Sequence, residues 1–261
     1  MATPRVAPRR TGNYQASPEN SRGRCSALIF DIAAAVYKPG AQRQYVGAQG
    51  ATAIVEKRIP MNEIVPDIFT WAWFSEPHGY NFNGHLVRHR AGNLCIDPVP
   101  PDSADLAEIE RMGVTKILLT NRNHSRAANV VRTRTAAKTL IHRDDAAHAK
   151  AQGAELDEEL KVGESVGPLR IVAVPGKSPG EVALHWPERA LLIVGDAVIG
   201  NPPGQCGLLR EKVMDDPARL KASVRKLLEL EFDTLLFGDG VSILRDAKLR
   251  LKELVDTFPQ V

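Results

Sequence analysis

One stretch constrains this chain more than any other: Val114-Thr115-Lys116-Ile117-Leu118-Leu119, followed by Thr120-Asn121-Arg122-Asn123-His124-Ser125-Arg126-Ala127-Ala128. An apolar run stops at a threonine, passes through polar residues and becomes an Ala-rich segment. That pattern predicts a strand, a tight loop and a helix over Arg126 to Ala137, with Ser125 as its N-cap. Side chains on such a loop converge at the carboxyl edge of a sheet, where α/β proteins build their sites. The 261-residue chain can bury a sizeable core.

Downstream, the apolar segments Leu169 to Val174, Val182 to His185, Ala190 to Val194 and Thr234 to Phe237 read as strands separated by Gly/Pro turns. Helices are predicted from Ser103 to Met112, capped by Ser103 and ended by Gly113, and from Asp144 to Gln152, capped by the Asp pair. A third follows Asp216-Pro217, and a fourth runs from Ser242 to Phe258. Upstream, Ile64 to Trp73 reads as one β-prone segment, Ser75 to Asn83 as a loop, and His85 to His89 with Asn93 to Asp97 as a hairpin. Trp71, Trp73 and Phe74 read as core or pocket wall.

Three motifs carry a resemblance. Pro175-Gly176-Lys177-Ser178-Pro179-Gly180 follows one strand, Val194-Gly195-Asp196 ends another, and Gly238-Asp239-Gly240 follows a third. With the Leu-Leu-Thr loop and Ile96-Asp97-Pro98, they resemble the metallo-β-lactamase superfamily over residues 64 to 258. The resemblance implies a four-layer αββα sandwich. It also implies a zinc centre, with His-x-His-x-Asp-His at the positions that here read Asn121, Asn123, Ser125 and Arg126. The Pro-Gly-His-Ser-Pro-Gly histidine is Lys177, the strand-end aspartate is retained as Asp196, and the Gly-His-Gly histidine is Asp239.

Zinc needs imidazole, thiolate or carboxylate donors, three or four to a site. Asn is a poor donor, and Arg and protonated Lys present only hydrogens. No dinuclear centre follows from this set, so no metal cofactor is expected. The substitutions are mutually adjusted instead: Arg126 and Lys177 place fixed positive charge where metals would neutralise Asp196 and Asp239. Asn121, Asn123, Ser125, Arg126, Lys177, Asp196 and Asp239 are therefore the candidate substrate-binding residues, suited to a small anionic molecule. An ester, thioester or lactone hydrolase using no metal or a non-standard one is a second expectation, and a non-catalytic scaffold subunit a third. His78, His85, His124 and His142 occupy none of the family's ligand positions and read as surface or hydrogen-bonded residues. Cys206 reads as a packed, inert thiol.

Residues 1–60 differ in kind. Met1 to Arg24 mixes Pro, Arg, Ser, Gly and Asn without apolar periodicity, which predicts a disordered or non-native extension ahead of a domain spanning 61–261. The net charge of +3 gives no composition-level case for nucleic acid. Three scattered cysteines, Cys25, Cys95 and Cys206, point to reduced thiols and a cytoplasmic location. No apolar run reaches the roughly 18 residues a spanning helix needs, so no membrane segment is expected.

Overall fold

A computed structural model describes residues 58–259; the expectations for Met1 to Arg24 and for the rest of the first 57 positions lie outside them. Seven strands form one sheet in sequence order: β1 (Arg58–Val65), β2 (Ile68–Ser75), β3 (Tyr80–Val87), β4 (Asn93–Ile96), β5 (Val114–Leu119), β6 (Lys138–Ile141) and β7 (Glu158–Glu159). The first four are antiparallel neighbours, whereas β4 to β7 run parallel. The second sheet has the order β12-β11-β10-β9-β8, from β8 (Ser165–Val166), β9 (Leu169–Ala173), β10 (Val182–Trp186), β11 (Leu191–Val194) and β12 (Thr234–Phe237). Helices α1 (Ser103–Met112), α2 (Ala128–Thr135) and α3 (Arg143–Ala151) accompany the first sheet, and α4 (Pro217–Leu227) and α5 (Ala247–Asp256) the second.

Period-two alternation along each strand assigns the layers. In β5, Leu118 packs between the sheets with Leu184, Ile193 and Leu236, whereas Ile117 and Leu119 join Ile109 of α1 and Val131 of α2. In β11, Leu191 and Ile193 face the first sheet, and Leu192 and Val194 face Leu220 and Val224 of α4 and Leu251 of α5. All of β11 and the last three residues of β5 are buried on both faces, which is why they read as unbroken apolar runs. Three cores separated by two sheets give four layers, αββα. No helix among the described residues is long and apolar enough to cross a membrane.

Local chemistry corrects several sequence expectations. The segment Ile64 to Trp73 is two strands, because Pro66-Asp67 turns the chain. Asp67 takes the left-handed conformation (φ 64°), and its carboxylate is held by Arg88 and Arg189 at 2.8 and 2.7 Å. The domain's first strand also begins at Arg58, ahead of Met61. The expected loop over Ser75 to Asn83 shrinks, since Tyr80-Asn81-Phe82-Asn83 is strand. Buried Asn83 is satisfied across the sheets by the carbonyls of Phe237 and Gly240, at 3.0 and 2.8 Å. Asp102, not Ser103, caps α1, accepting from the amides of Ala104 and Asp105. His142 caps α3 through the Asp144 amide, which frees Asp145 to turn inward. Helix α5 starts at Ala247, because Ile243 is first claimed by Leu235 in an antiparallel bridge. Trp71 is fully buried and Trp73 lies partly outside the core.

Candidate active site

Parallel strands of both sheets end on the same edge, and the polar residues after β4, β5, β9, β11 and β12 meet there. Close approach of the two sheets requires glycine at two of these strand ends. A Cβ on Gly195 would lie 2.2 Å from Oγ1 of Thr120, and one on Gly238 would lie 2.7 Å from Cε1 of His124.

At the centre is Asp196, 4% exposed. Lys177 Nζ lies 2.6 Å from its Oδ2, and His124 Nε2 lies 3.0 Å from its Oδ1. Lys177 also donates to Oδ1 of Asn123 at 2.6 Å and of Asn121 at 3.5 Å, so its ammonium faces three acceptors. On the far side of the imidazole, Nδ1 is 2.8 Å from Oδ2 of Asp97, a carboxylate also bound by the amide and hydroxyl of Thr120 at 2.8 and 2.5 Å. Arg126 completes the set: Nη2 lies 3.5 Å from Oδ1 of Asp239, and its Cζ sits 4.1 Å from the centre of the Phe82 ring.

Asn121, Asn123, Arg126, Lys177, Asp196 and Asp239 are thus brought together. Asn121 is fully buried inside the wall, where its Nδ2 donates to Glu181 and its Oδ1 accepts the Asn123 amide at 2.9 Å. Ser125 does not cap α2 as expected. Ala127 occupies the N-cap without a side-chain bond, and Ser125 contributes its carbonyl to the Ala128 amide at 2.9 Å. The loop is a run of turns begun by the Asn121 side chain, which shifts the helix start to Ala128.

Three residues of the site escaped sequence reasoning. His124 occupies none of the family's ligand positions, yet it is 0% exposed between two carboxylates. Asp97 belongs to the Ile96-Asp97-Pro98 motif, which does not by itself place it beside His124. Glu181, directly after the Pro-Gly repeat, accepts the Asp196 amide at 2.8 Å and Asn121 at 3.3 Å. For Asp97 and Glu181 the available signal was a carboxylate beside an apolar strand; His124, inside a polar loop, had none. His78 sits on the rim beside Phe82, and His85 is buried, bonded to Thr70 and the Phe237 carbonyl. Cys206 is partly buried, and burial pushes its thiol up to about 12, which suits an inert role.

Burial and charge pull these groups in different directions. Burial opposes a charged His124, but Asp196 and Asp97 outweigh it and hold the imidazole up at about 9. Both ring nitrogens therefore carry hydrogens near neutral pH. Burial would also raise Asp196, but Lys177 and then His124 keep it well below the usual carboxylate range. Burial, reinforced by the Asp196 charge, lifts Glu181 to about 8 and Asp239 to about 6. Three buried polar atoms of the network lack a hydrogen-bond partner: Arg126 Nη1, Glu181 Oε2 and Asp239 Oδ1.

The described residues contain one trio of metal-capable donors at this edge, His124, Asp196 and Asp239, with ligand atoms within 4.8 Å of one another. The trio does not fit the family's zinc pair. Lys177 and His124 both direct hydrogens at Asp196, Arg126 faces Asp239, and the four positions of the first motif supply no imidazole.

Similarity to known proteins agrees with this architecture. The chain is 30% identical over 151 residues to the hydroxyacylglutathione hydrolase of Cereibacter sphaeroides (strain ATCC 17029 / ATH 2.4.9), covering 56% of each chain. It is 28% identical over 162 residues to the enzyme of the same name from Fuscovulum blasticum, covering 60% of each. The chain thus spans little more than half the length of these curated relatives. In three dimensions it resembles the metallo-beta-lactamase of Pontibacter korlensis, with a TM-score of 0.64 at 13% identity over 77% of this chain and 100% of that one. A family model described as metallo-beta-lactamase superfamily matches residues 61–258, so the chain belongs to the metallo-β-lactamase superfamily.

Proposed function

We propose that this hydrolase-like chain replaces the dinuclear metal site of its family with an ion-pair network, and that the site binds a small anionic molecule through Arg126. One observation carries the reading. Of the three cationic groups at the site, His124 and Lys177 are enclosed by acceptors, whereas Arg126 keeps an unpaired Nη1 and a side chain 19% exposed. A guanidinium with a free N–H edge, braced on Phe82, suits a carboxylate or phosphate group. Asn123, exposed at the rim beside Lys177, adds an amide to the same approach. The test is a thermal-shift and calorimetric screen of small anions, alongside elemental analysis. Anions should stabilise the protein, Arg126→Ala should weaken them about tenfold or more, and zinc, iron and manganese should be below stoichiometric amounts. A tightly held ion in each chain, lost with Asp196→Asn, would overturn the metal-free reading.

Hydrolysis of an ester, thioester or lactone is the second reading, favoured by one feature. Asp239 is held at about 6 by burial and by Asp196, which suits a general base near neutral pH, and Arg126 stands beside it. Turnover of S-acyl or p-nitrophenyl esters that survives a chelator and falls about 100-fold in Asp239→Asn would support it. Turnover unchanged by that substitution would exclude it.

A further inference from the structure

The hydrogen-bonding capacity of the site is almost fully used, and the remainder is specific. His124 spends both ring nitrogens on Asp97 and Asp196, and Lys177 faces Asp196, Asn123 and Asn121. What is left at the Arg126–Asp239 pair is one donor and one acceptor: Nη1 of Arg126 and Oδ1 of Asp239 are buried and without hydrogen-bond partners. They belong to one ion pair, in which Nη2 of the same guanidinium is 3.5 Å from that oxygen. Buried polar atoms are rarely left unpaired in folded proteins, so such a pair has capacity for a further polar partner.

Charge narrows the ligand further. Asp97, Asp196 and Asp239 stand against His124, Lys177 and Arg126, so the cluster is balanced before anything binds. A dianion such as phosphate would bring its second charge against Asp239 and Asp196, whose buried cationic neighbours Lys177, His124 and Arg126 are already engaged. A simple carboxylate would satisfy Arg126 and face the Asp239 oxygen with a like charge. A ligand whose carboxylate adjoins a hydroxyl or N–H satisfies both atoms.

Building on the anion-binding reading above, we infer that the Arg126–Asp239 pair selects a singly charged carboxylate carrying a hydroxyl or N–H donor beside it, and discriminates against phosphate dianions. The carboxylate takes Nη1 of Arg126, and the adjacent donor takes Oδ1 of Asp239. Asp239 thereby acts as a specificity residue.

The test compares acetate, glycolate and inorganic phosphate on the full chain at pH 7.5 by calorimetry and thermal shift. Glycolate should bind about tenfold or more tightly than acetate, the contribution of one hydrogen bond to a charged acceptor, and phosphate more weakly than glycolate. Asp239→Asn should tighten acetate and phosphate and erase most of the glycolate preference, whereas Arg126→Gln should weaken all three. The wild-type ranking stands as a test even if a variant fails to fold. Equal binding of acetate and glycolate, tightest binding by phosphate, or a glycolate preference untouched in Asp239→Asn would each overturn the inference while leaving anion binding intact. No binding of any of the three would instead defeat the reading on which it rests.

Discussion

Replacing Lys177 by methionine removes a buried ammonium 2.6 Å from a buried carboxylate and leaves the stem's packing volume nearly unchanged. At this range the Coulombic attraction is about 4 kcal/mol or more for an effective dielectric near 20, but desolvation of both groups offsets much of it. Breaking a buried pair from one side costs about 3–5 kcal/mol, because the surviving charge is orphaned. Asp196 is not wholly orphaned in Lys177→Met, since His124 remains 3.0 Å away. The expected loss therefore falls at the low end, about 3 kcal/mol. Asp196→Asn should cost about the same, since it leaves Lys177 only the carbonyl oxygens of Asn123 and Asn121 and leaves His124 only Asp97. Urea unfolding followed by the fluorescence of Trp71, Trp73 and Trp186 gives both values with m as a check. The double variant should lose about 4 kcal/mol rather than the sum of the two, a coupling of about 2 kcal/mol. Coupling below about 0.5 kcal/mol, the scatter of independent sites, would refute the idea that these charges hold each other in place of metal.

Stability should fall in alkali, because His124 is raised in the folded state from 6.5 to about 9. Its contribution, at most about 3 kcal/mol, is fully present below pH 6.5 and is lost as pH rises through about 9; His124→Gln should flatten that arm of a urea-midpoint profile. Glu181, lifted to about 8, is largely protonated at neutral pH, so Glu181→Gln should cost under about 1 kcal/mol at pH 6.5 and Glu181→Ala about 2–3 kcal/mol. Equal losses would show a charged Glu181. A chain beginning at Met61 should fold but be less stable than one beginning at Arg58 by about 1 kcal/mol, and so melt lower, because Arg58 and Ile59 pair with Trp73 and Ala72. Identical melting curves would show that this end of β1 contributes nothing.

The fold was legible because its markers are local. Gly113 after α1, Asp216-Pro217 before α4 and the apolar runs of β5 and β11 each depend on a few adjacent residues. The charged partners were partly legible, since Lys177 and Asp196 occupy strand-end positions whose direction is set by the sheets themselves. His124 was not, and the reason is geometric. Counting ligand positions through Asn121, Asn123, Ser125 and Arg126 assigns residue 124 to the outside of the loop. But Asn121 accepts the amide of Asn123 and so tightens the first turn, and the imidazole enters the space left by Gly238. Ring and glycine are far apart in sequence, so neither alone announces the contact. With the imidazole there, Asp196 gains a second cation and Asp97 gains a partner. The site is then a closed chain of alternating charge from Asp97 through His124 and Asp196 to Lys177. The Arg126–Asp239 pair stands outside that chain and keeps both a donor and an acceptor to spare. Specificity is therefore to be sought at that pair, because changing any link in the closed chain first alters the stability of the protein.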